Sequence, residues 1–242
     1  MSPVRWLWRV PRRWFIAVAI AIPLGCVIDT QLALTEGEQW ALSAAVWLVV
    51  LGVLPELPRR RQLMLLCFLP MITFAEYVLS HRLGWYVYRL DNIPPWIIPA
   101  HGIIFLTALR VVDTTAVSTR ALAWSAASAQ ALYGFVNLAL GGDQVGALLS
   151  VLYVIGMIVL PDEGKRFYAG LGLLVAYLEI VGSALGVWAW TPEVFGALTE
   201  TNPPSGAVGG YAMVDGGAVL LAAYAARLVP RRFAAQPAPA EL

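Results

Sequence analysis

Eight apolar runs, each long enough to cross or nearly cross a hydrocarbon core of roughly 30 Å, recur along this chain. Since 60% of the residues are hydrophobic and only 13% are charged, we expect an all-α, polytopic integral membrane protein. The predicted helices cover approximately residues 14–34, 39–55, 62–83, 95–112, 119–140, 144–160, 166–190 and 206–228.

The basic residues test this count of eight helices. If the N-terminus is cytoplasmic, the inner loops hold nearly all of them, as the positive-inside rule requires, and only Arg82 and Arg89 lie outside. Seven helices remain an alternative if residues 119–160 are arranged differently, but the basic tail 227–232 would then lie outside. We therefore expect both termini in the cytoplasm and a multi-pass protein of the inner (plasma) membrane. The inner basic residues are Arg5, Arg9, Arg12, Arg13, Arg59, Arg60, Arg61, Arg110, Arg120, Lys165, Arg166, Arg227, Arg231 and Arg232.

Two stretches about a hundred residues apart look like copies of one another. In both, a glutamate is followed by a serine four positions later, then by a glycine with aromatic residues two and four positions beyond it. The first copy contains Glu76, Ser80, Leu83, Gly84, Tyr86, Tyr88, Pro94 and Pro95. The second contains Glu179, Ser183, Leu185, Gly186, Trp188, Trp190, Pro203 and Pro204.

The copies suggest a duplicated architecture. We expect a cytoplasmic tail at 1–13, a four-helix half at 14–112, a second at 113–233, and a disordered Ala/Pro-rich tail at 234–242. Four helices per half is an even number, so the two halves are predicted to be parallel, related by an axis along the membrane normal.

Three acids and one imidazole are the candidate catalytic residues. Glu76 and Glu179 fall in the outer half of their predicted helices, Asp215 lies among small residues in the last helix, and His101 lies near the start of the fourth. A carboxylate in hydrocarbon is costly unless it is paired, neutralised or wet, so such acids favour a functional site. A buried carboxylic acid is suited to protonate an alkene or an epoxide. The alternative is a structural role, through hydrogen bonds between helices or pairing with Arg82 or Arg89.

Aromatic residues beside these acids are candidates for substrate binding, because ring faces stabilise a carbocation. An interfacial aromatic belt is the alternative for them. Interhelical hydrogen bonds are the alternative for Asn137 and Gln130. The candidate substrate-binding residues are Trp85, Tyr86, Tyr88, Trp96, Asn137, Trp188, Trp190, Asn202 and Tyr211.

The glycine–aromatic elements and the Pro-Pro sequences resemble those of the membrane-integral carotenoid-modifying proteins, the heterodimer-type lycopene cyclases and the C50-carotenoid hydratases. The resemblance covers residues 76–106 and 179–216 and implies cofactor-free acid/base chemistry on a long polyene or isoprenoid. Where the cyclases carry Pro-x-Glu-Glu, this chain has Pro99-Ala100-His101 and Ser205-Gly206. Small membrane terpene cyclases are a second analogy, in which Glu76 and Asp215 would be the matching acids.

These features predict an enzyme that protonates and then cyclises, hydrates or isomerises an isoprenoid- or carotenoid-like lipid. No cofactor or metal is expected, because neither C-x-x-C nor a His/Cys cluster occurs. The expected partners are a hydrophobic lipid and the bilayer, without nucleic acid; a homo-oligomer or a partner membrane protein stays open. A small proton- or cation-coupled transporter and a non-catalytic membrane subunit are the alternative functions.

Overall fold

The computed structural model describes residues 2–33, 35–114 and 116–228 of the 242-residue chain. The prediction of a mostly helical protein is confirmed, and eight long helices lie within a few residues of the eight apolar runs. The predicted disordered tail 234–242 lies outside the described residues. The α-helices are α1 (Pro3–Arg9), α2 (Pro11–Gln31), α3 (Glu36–Val53), α4 (Arg59–Glu76), α5 (Ile97–Val112), α6 (Thr119–Gly141), α7 (Gln144–Val159), α8 (Asp162–Ala184) and α9 (Ala207–Leu228).

Membrane crossing is supported most directly by four helical segments. Each is long and apolar enough to span a bilayer: Pro11–Gln31, Glu36–Glu56, Arg59–Arg82 and Asp162–Ala184. The helices Ile97–Val112 and Gln144–Val159 are apolar but shorter. Part of the predicted N-terminal tail, Pro3–Arg9, forms the helix α1. It packs against α2 through Trp8, which is buried and meets the ring of Trp14 edge-on.

Local sequence explains where several helices begin and end. Thr35 and Glu38 form a capping box at the start of α3, and the side chains of Ser118 and Asp143 cap α6 and α7. Gly142 ends α6 with a φ of 70°, a conformation that suits a residue without Cβ.

The predicted helix 166–190 is wrong at its C-terminal end. Helix α8 stops at Ala184, and Gly186 then adopts a φ of 73°, which turns the chain back over the helix end. The residues Trp188–Trp190 form a strand, β2, instead of a last helical turn. The matching strand β1, Tyr86–Tyr88, follows Gly84, whose φ is 62°.

Strands β1 and β2 pair antiparallel, with Val87 opposite Ala189 at the centre. A second short hairpin joins β3 (Glu193–Val194) and β4 (Leu198–Thr199). The all-α prediction omitted these strands because a three-residue strand carries too short an alternation to be distinguished from an interfacial aromatic segment.

The helices cross between the two predicted halves. Helix α4 packs along α9, and α5 packs along α8. Their core contains Phe105, which is completely buried, stacks on Phe68 at 4.6 Å and meets Phe167 edge-on at 5.3 Å. Helix α7 approaches α9 at Gly206 and Gly209, where any side chain would collide with the α7 backbone.

Candidate functional site

Glu76, the last residue of α4, is 3% exposed and holds a network of three side chains. Its Oε2 accepts hydrogen bonds from the hydroxyls of Tyr86, at 2.9 Å, and Tyr88, at 2.8 Å. Its Oε1 lies 2.9 Å from Nε2 of His101, which comes from the second turn of α5. Both oxygens of this buried carboxylate therefore have hydrogen-bond partners within the protein.

Glu179, near the end of α8, is also 3% exposed and has a matching set of partners. Its Oε2 accepts hydrogen bonds from the indole nitrogens of Trp188 and Trp190, both at 3.0 Å. Its Oε1 accepts a hydrogen bond from the hydroxyl of Tyr211 at 3.0 Å. Like His101 in α5, Tyr211 is the fifth residue of its helix, α9.

The two networks use the same positions despite one difference in length. Glycine follows Glu76 by eight residues but Glu179 by seven. The extra residue is absorbed by a π-helical turn, Tyr77–Arg82, which continues α4. Beyond it, both chains reverse at a glycine of positive φ, and the aromatic residues two and four positions later reach back to the glutamate.

The β1–β2 ribbon brings the two networks together. Tyr86 pairs with Trp190 and Tyr88 with Trp188, so each pair joins non-equivalent positions of the two copies. Outside the strands, the Arg89 amide donates to the Val187 carbonyl and the Thr191 amide to the Trp85 carbonyl, at 3.0 and 2.9 Å. Arg89 and Thr191 each lie five positions after the glycine of their copy, and Trp85 and Val187 each lie one position after it. Each copy therefore donates and accepts the same hydrogen bond, and the ribbon is self-complementary.

The rings of the two networks lie close to one another in three pairs. The Tyr86 and Trp190 centroids are 4.7 Å apart, those of Tyr88 and Trp188 6.2 Å, and those of His101 and Tyr211 5.2 Å. His101 and Tyr211, the third partners of the two carboxylates, therefore meet directly between the networks.

A cavity of about 70 Å³ lies between the two networks, with room for several water-sized groups. Both carboxylates line it, and its other walls, which are mostly apolar or aromatic, come from α4, α5, α7, α8, α9 and the β1–β2 ribbon. Among the sequence-predicted residues, its lining contains Glu76, Trp85, Tyr86, Tyr88, Trp96, His101, Glu179, Trp188, Trp190 and Tyr211.

Three predicted site residues lie outside this cavity. Asp215 is one helical turn beyond Tyr211 and 1% exposed, and its Oδ2 has no hydrogen-bond partner among the described residues. Asn137 donates to the Tyr133 carbonyl within α6, at 2.9 Å. Asn202 accepts from the Trp190 amide at 3.1 Å and thereby orients the ribbon.

The arginines proposed as partners of the glutamates have other contacts. Arg82 lies over the ring of Tyr77, with its guanidinium 5.3 Å from the ring centroid. Arg89 pairs with Asp29 of α2 at 3.4 Å and donates to the Asp29 and Ala33 carbonyls. Neither forms an ion pair with Glu76 or Glu179 in the described part of the chain.

Asp29 is a structural residue that sequence reasoning missed. It is completely buried, and its Oδ1 accepts hydrogen bonds from Gln39 at 2.7 Å and from the cavity residue Trp96 at 2.9 Å. It thereby fixes the start of α5, which carries His101. A charged residue inside the first apolar run could have marked Asp29 as a candidate. The sequence does not reveal its partners, because they lie up to 67 residues away.

Asp143 fixes the start of α9 in a comparable way. Its Oδ2 accepts from the Ser205 amide at 2.7 Å and from the Thr201 hydroxyl at 3.1 Å. Gln130 of α6 also reaches this junction and donates to the Ser150 hydroxyl of α7 at 2.8 Å and to the Ser205 carbonyl at 2.6 Å. The interpretation of Gln130 as an interhelical hydrogen-bond partner is therefore confirmed.

Three side chains in the segments that connect the helices have raised pKa values. Burial, and then the Glu76 carboxylate, raise the pKa of the Tyr86 and Tyr88 hydroxyls well above the ordinary value, so both remain donors at neutral pH. Burial, and then the nearby Asp143 carboxylate, raise the pKa of Glu200 to about 8.

No group of three His, Cys, Asp or Glu side chains is placed to hold a metal ion within residues 2–33, 35–114 and 116–228. Comparison with protein-family models, with curated proteins and with solved structures found no match for this chain.

Proposed function

We propose that the protein is a membrane-embedded acid/base enzyme acting on an isoprenoid- or carotenoid-like lipid. The observation that carries the proposal is the convergence of two buried carboxylates and an imidazole on one aromatic cavity. Buried ionisable groups that converge on a cleft are the usual basis of a catalytic site. Such groups inside a predicted membrane protein favour a function over packing alone.

The Glu76–His101 pair is the proposed proton donor. His101 Nδ1 is buried and has no hydrogen-bond partner among the described residues, whereas Nε2 is close to Glu76. The pair can hold one proton and release it to an alkene carbon: a C–H bond forms from the π electrons, and the adjacent carbon becomes cationic. General acids of this kind contribute about 10²- to 10⁴-fold to a rate.

Glu179 and the aromatic rings are the proposed stabilisers of that cation. The Glu179 partners are neutral indole and phenol donors, so its negative charge is oriented without being cancelled by a fixed cation. The rings of Tyr86, Tyr88 and Trp190 add their negative faces. Loss of a proton to Glu179 would complete an isomerisation or cyclisation, and attack by water followed by proton loss would complete a hydration.

The apolar lining favours a hydrocarbon substrate. Side chains such as Ile72, Leu178 and Val214 form its walls, and the carboxylates are already occupied by protein donors. Because the cavity holds only a small group, one end of the substrate would react there while the remaining chain lies along the helices in the bilayer.

We also propose that the two halves, 14–112 and 113–233, are parallel four-helix repeats with eight spans and cytoplasmic termini in the plasma membrane. The self-complementary ribbon supports a pseudo-twofold axis between Val87 and Ala189. The reciprocal packing of α4 on α9 and of α5 on α8 supports the same axis.

Lipid analysis in cells tests the enzymatic function. The wild-type protein, Glu76→Gln and Glu179→Gln would be expressed in cells that synthesise lycopene and shorter isoprenoids, and extracted lipids compared by chromatography and mass spectrometry. We expect a new or depleted isoprenoid with the wild type and its reversal in both variants. Identical lipids from cells with wild type and from cells without the protein would contradict the proposal.

A proton-coupled carrier is the second candidate, and Asp215 favours it. This carboxyl is almost completely buried in α9, without a hydrogen bond among the described residues, one turn beyond Tyr211. A carrier would use it to continue a proton path away from the Glu179 network. In proteoliposomes with a pH-sensitive dye inside, a carrier predicts proton uptake that Asp215→Asn abolishes, whereas the enzyme predicts no uptake above protein-free vesicles.

A further inference from the structure

A second cavity, of about 410 Å³, shares no lining residue with the aromatic site and lies between the beginnings of α6 and α8 and the end of α7. Its rim carries Arg120 and Lys165, and its walls include Trp124, Met157 and Ile158. It thus combines a basic rim with an apolar interior at the predicted cytoplasmic surface.

The two rim cations are not neutralised within the described part of the chain. Arg120 and Lys165 form none of its ion pairs, whereas Arg60 pairs with Glu163 and Arg61 with Asp113 nearby. Asp162 is the one acid that lines the cavity, so its charged lining carries a net positive charge.

Arg166, next to Lys165, has a different and structural role. Its Nη1 donates to the Val117 carbonyl at 2.8 Å and to the Thr119 hydroxyl at 3.3 Å. These bonds connect the beginning of α8 to the beginning of α6. They hold the two helices that carry Lys165 and Arg120 beside one another at the rim.

A further cavity, of about 210 Å³, lies nearer the middle of the same three helices. It is lined by side chains of α6, α7 and α8, including Tyr133, Tyr153 and Ala176. Gly172 makes room there: a Cβ would lie 2.5 Å from the Tyr153 hydroxyl, which donates to the Tyr168 carbonyl. From Lys165 to Ala176, α8 rises about 17 Å, a distance comparable to the length of an acyl chain.

We propose that these two cavities form one groove, which binds an anionic phospholipid of the cytoplasmic leaflet. Its phosphate contacts Arg120 and Lys165, and one acyl chain follows α6 and α8 toward Tyr133. Basic pockets between membrane helices on the cytoplasmic side are suited to anionic headgroups, and the net charge of this rim disfavours a zwitterionic one. The inference does not depend on the isoprenoid chemistry of the aromatic site.

The lipids that the protein retains when it leaves a bilayer test the proposal. The full-length protein would be placed in nanodiscs containing phosphatidylcholine with one-fifth phosphatidylglycerol, then released into the mass spectrometer so that the retained lipids are counted. We expect enrichment of phosphatidylglycerol on the wild type. Arg120→Gln/Lys165→Gln should lower that enrichment about tenfold, since each basic residue near the surface attracts anionic lipid.

Two further variants separate the groove from general surface charge. Arg59→Gln removes an exposed cation on the same predicted side, away from the cavity, and should retain the enrichment. Ala127→Leu fills the groove while keeping both cations, and should lower retention although the charges remain. Thermal unfolding in detergent verifies that each variant is folded.

The source of the phosphate is tested by competition. Glycerol phosphate, which has the headgroup chemistry but no acyl chain, should not displace phosphatidylglycerol. The proposal is overturned if the wild type shows no preference for phosphatidylglycerol, if the double variant keeps that preference, or if glycerol phosphate competes as well as the lipid.

Discussion

The Glu76 and Glu179 networks have one scaffold but different third partners. Each carboxylate accepts two hydrogen bonds from the aromatic residues that follow its glycine. The fifth residue of the next helix completes the set, and it is His101 in one network but Tyr211 in the other. The two sides of the site therefore share one construction, and they differ in whether an imidazole or a phenol completes it.

A second difference concerns the size of the aromatic residues. The first network uses two tyrosines and has Leu79 three residues after Glu76. The second uses two tryptophans and has Gly182 at the matching position. A Cβ on Gly182 would overlap the Trp188 ring. The absence of a side chain at Gly182 of α8 therefore leaves the space that the larger Trp188 ring occupies.

The largest expected effect comes from replacing either carboxylate. Glu76→Gln and Glu179→Gln should each lower turnover by about 10²- to 10⁴-fold, because the amide can neither transfer the proton nor stabilise a cation. Asp215→Asn is the matched replacement outside the cavity, and it should retain turnover. Loss of turnover in Asp215→Asn, with activity remaining in both glutamate variants, would contradict the assignment of the chemistry to Glu76 and Glu179. The measurement is product formation per folded protein.

Making the two networks alike tests whether their difference matters. His101→Tyr would give both carboxylates a phenol, so we expect a folded protein with turnover lowered about 10²-fold through loss of the imidazole. Tyr211→Phe removes one hydrogen bond and should lower activity by about tenfold or less, since such a bond contributes about 1 kcal/mol. Equal activity in the wild type and His101→Tyr would show that the imidazole has no chemical role.

The packing difference predicts a change in stability. Gly182→Ala should lower the free energy of unfolding by about 1–3 kcal/mol, because the new methyl group overlaps Trp188. Trp188→Tyr in the same chain, which copies the first network, should recover part of the loss. Leu79→Ala is the corresponding control in the π-helical turn that follows α4, and it creates space instead. Thermal unfolding in detergent measures all three, and an unchanged Gly182→Ala protein would contradict the packing argument.

The smallest expected effect is a pH dependence of stability that comes from the loop after β2 and has no counterpart in the loop after β1. Trp190 and Asn202 are twelve positions apart, against four for Tyr88 and Asn92, and the longer loop carries Glu200. Because burial raises the pKa of Glu200 to about 8, its protonated form is favoured by folding. Its contribution to stability is complete below the unfolded pKa of about 4.3 and is lost as the pH rises through about 8.

Glu200→Gln should therefore raise the melting temperature more at pH 8.5 than at pH 5. Glu193→Gln, an exposed carboxylate of the same loop, is the control and should change it equally at both values. A Glu200→Gln effect that is independent of pH would contradict the raised pKa.

The glutamates and their aromatic neighbours could be predicted because both signals are local. Charged residues in apolar runs and a repeated spacing after glycine are visible in single segments, and the structure brings those residues together around one cavity. The eight helices could be predicted for the same reason, since each depends on its own apolar composition.

Other features depend on pairings between distant segments. Asp29 acquires its importance only when α2 meets the start of α5, and the ribbon only when residues about a hundred positions apart align. Asp215 shows the converse. Like the two glutamates it is a carboxyl residue in an apolar run, but it lies one turn of α9 beyond Tyr211, the residue that binds Glu179, and outside the cavity.

Deuterium transfer to carbon tests the central claim, that the Glu76–His101 pair donates a proton to an apolar lipid. Purified protein would be incubated in D₂O with lycopene and with shorter prenyl alcohols, and the recovered lipids examined by mass spectrometry for carbon-bound deuterium. The account predicts incorporation by the wild type and by Asp215→Asn, and incorporation slowed about 10²-fold or more by Glu76→Gln and by His101→Tyr. Incorporation at the wild-type rate in Glu76→Gln, or its absence from every isoprenoid with the wild type, would contradict it.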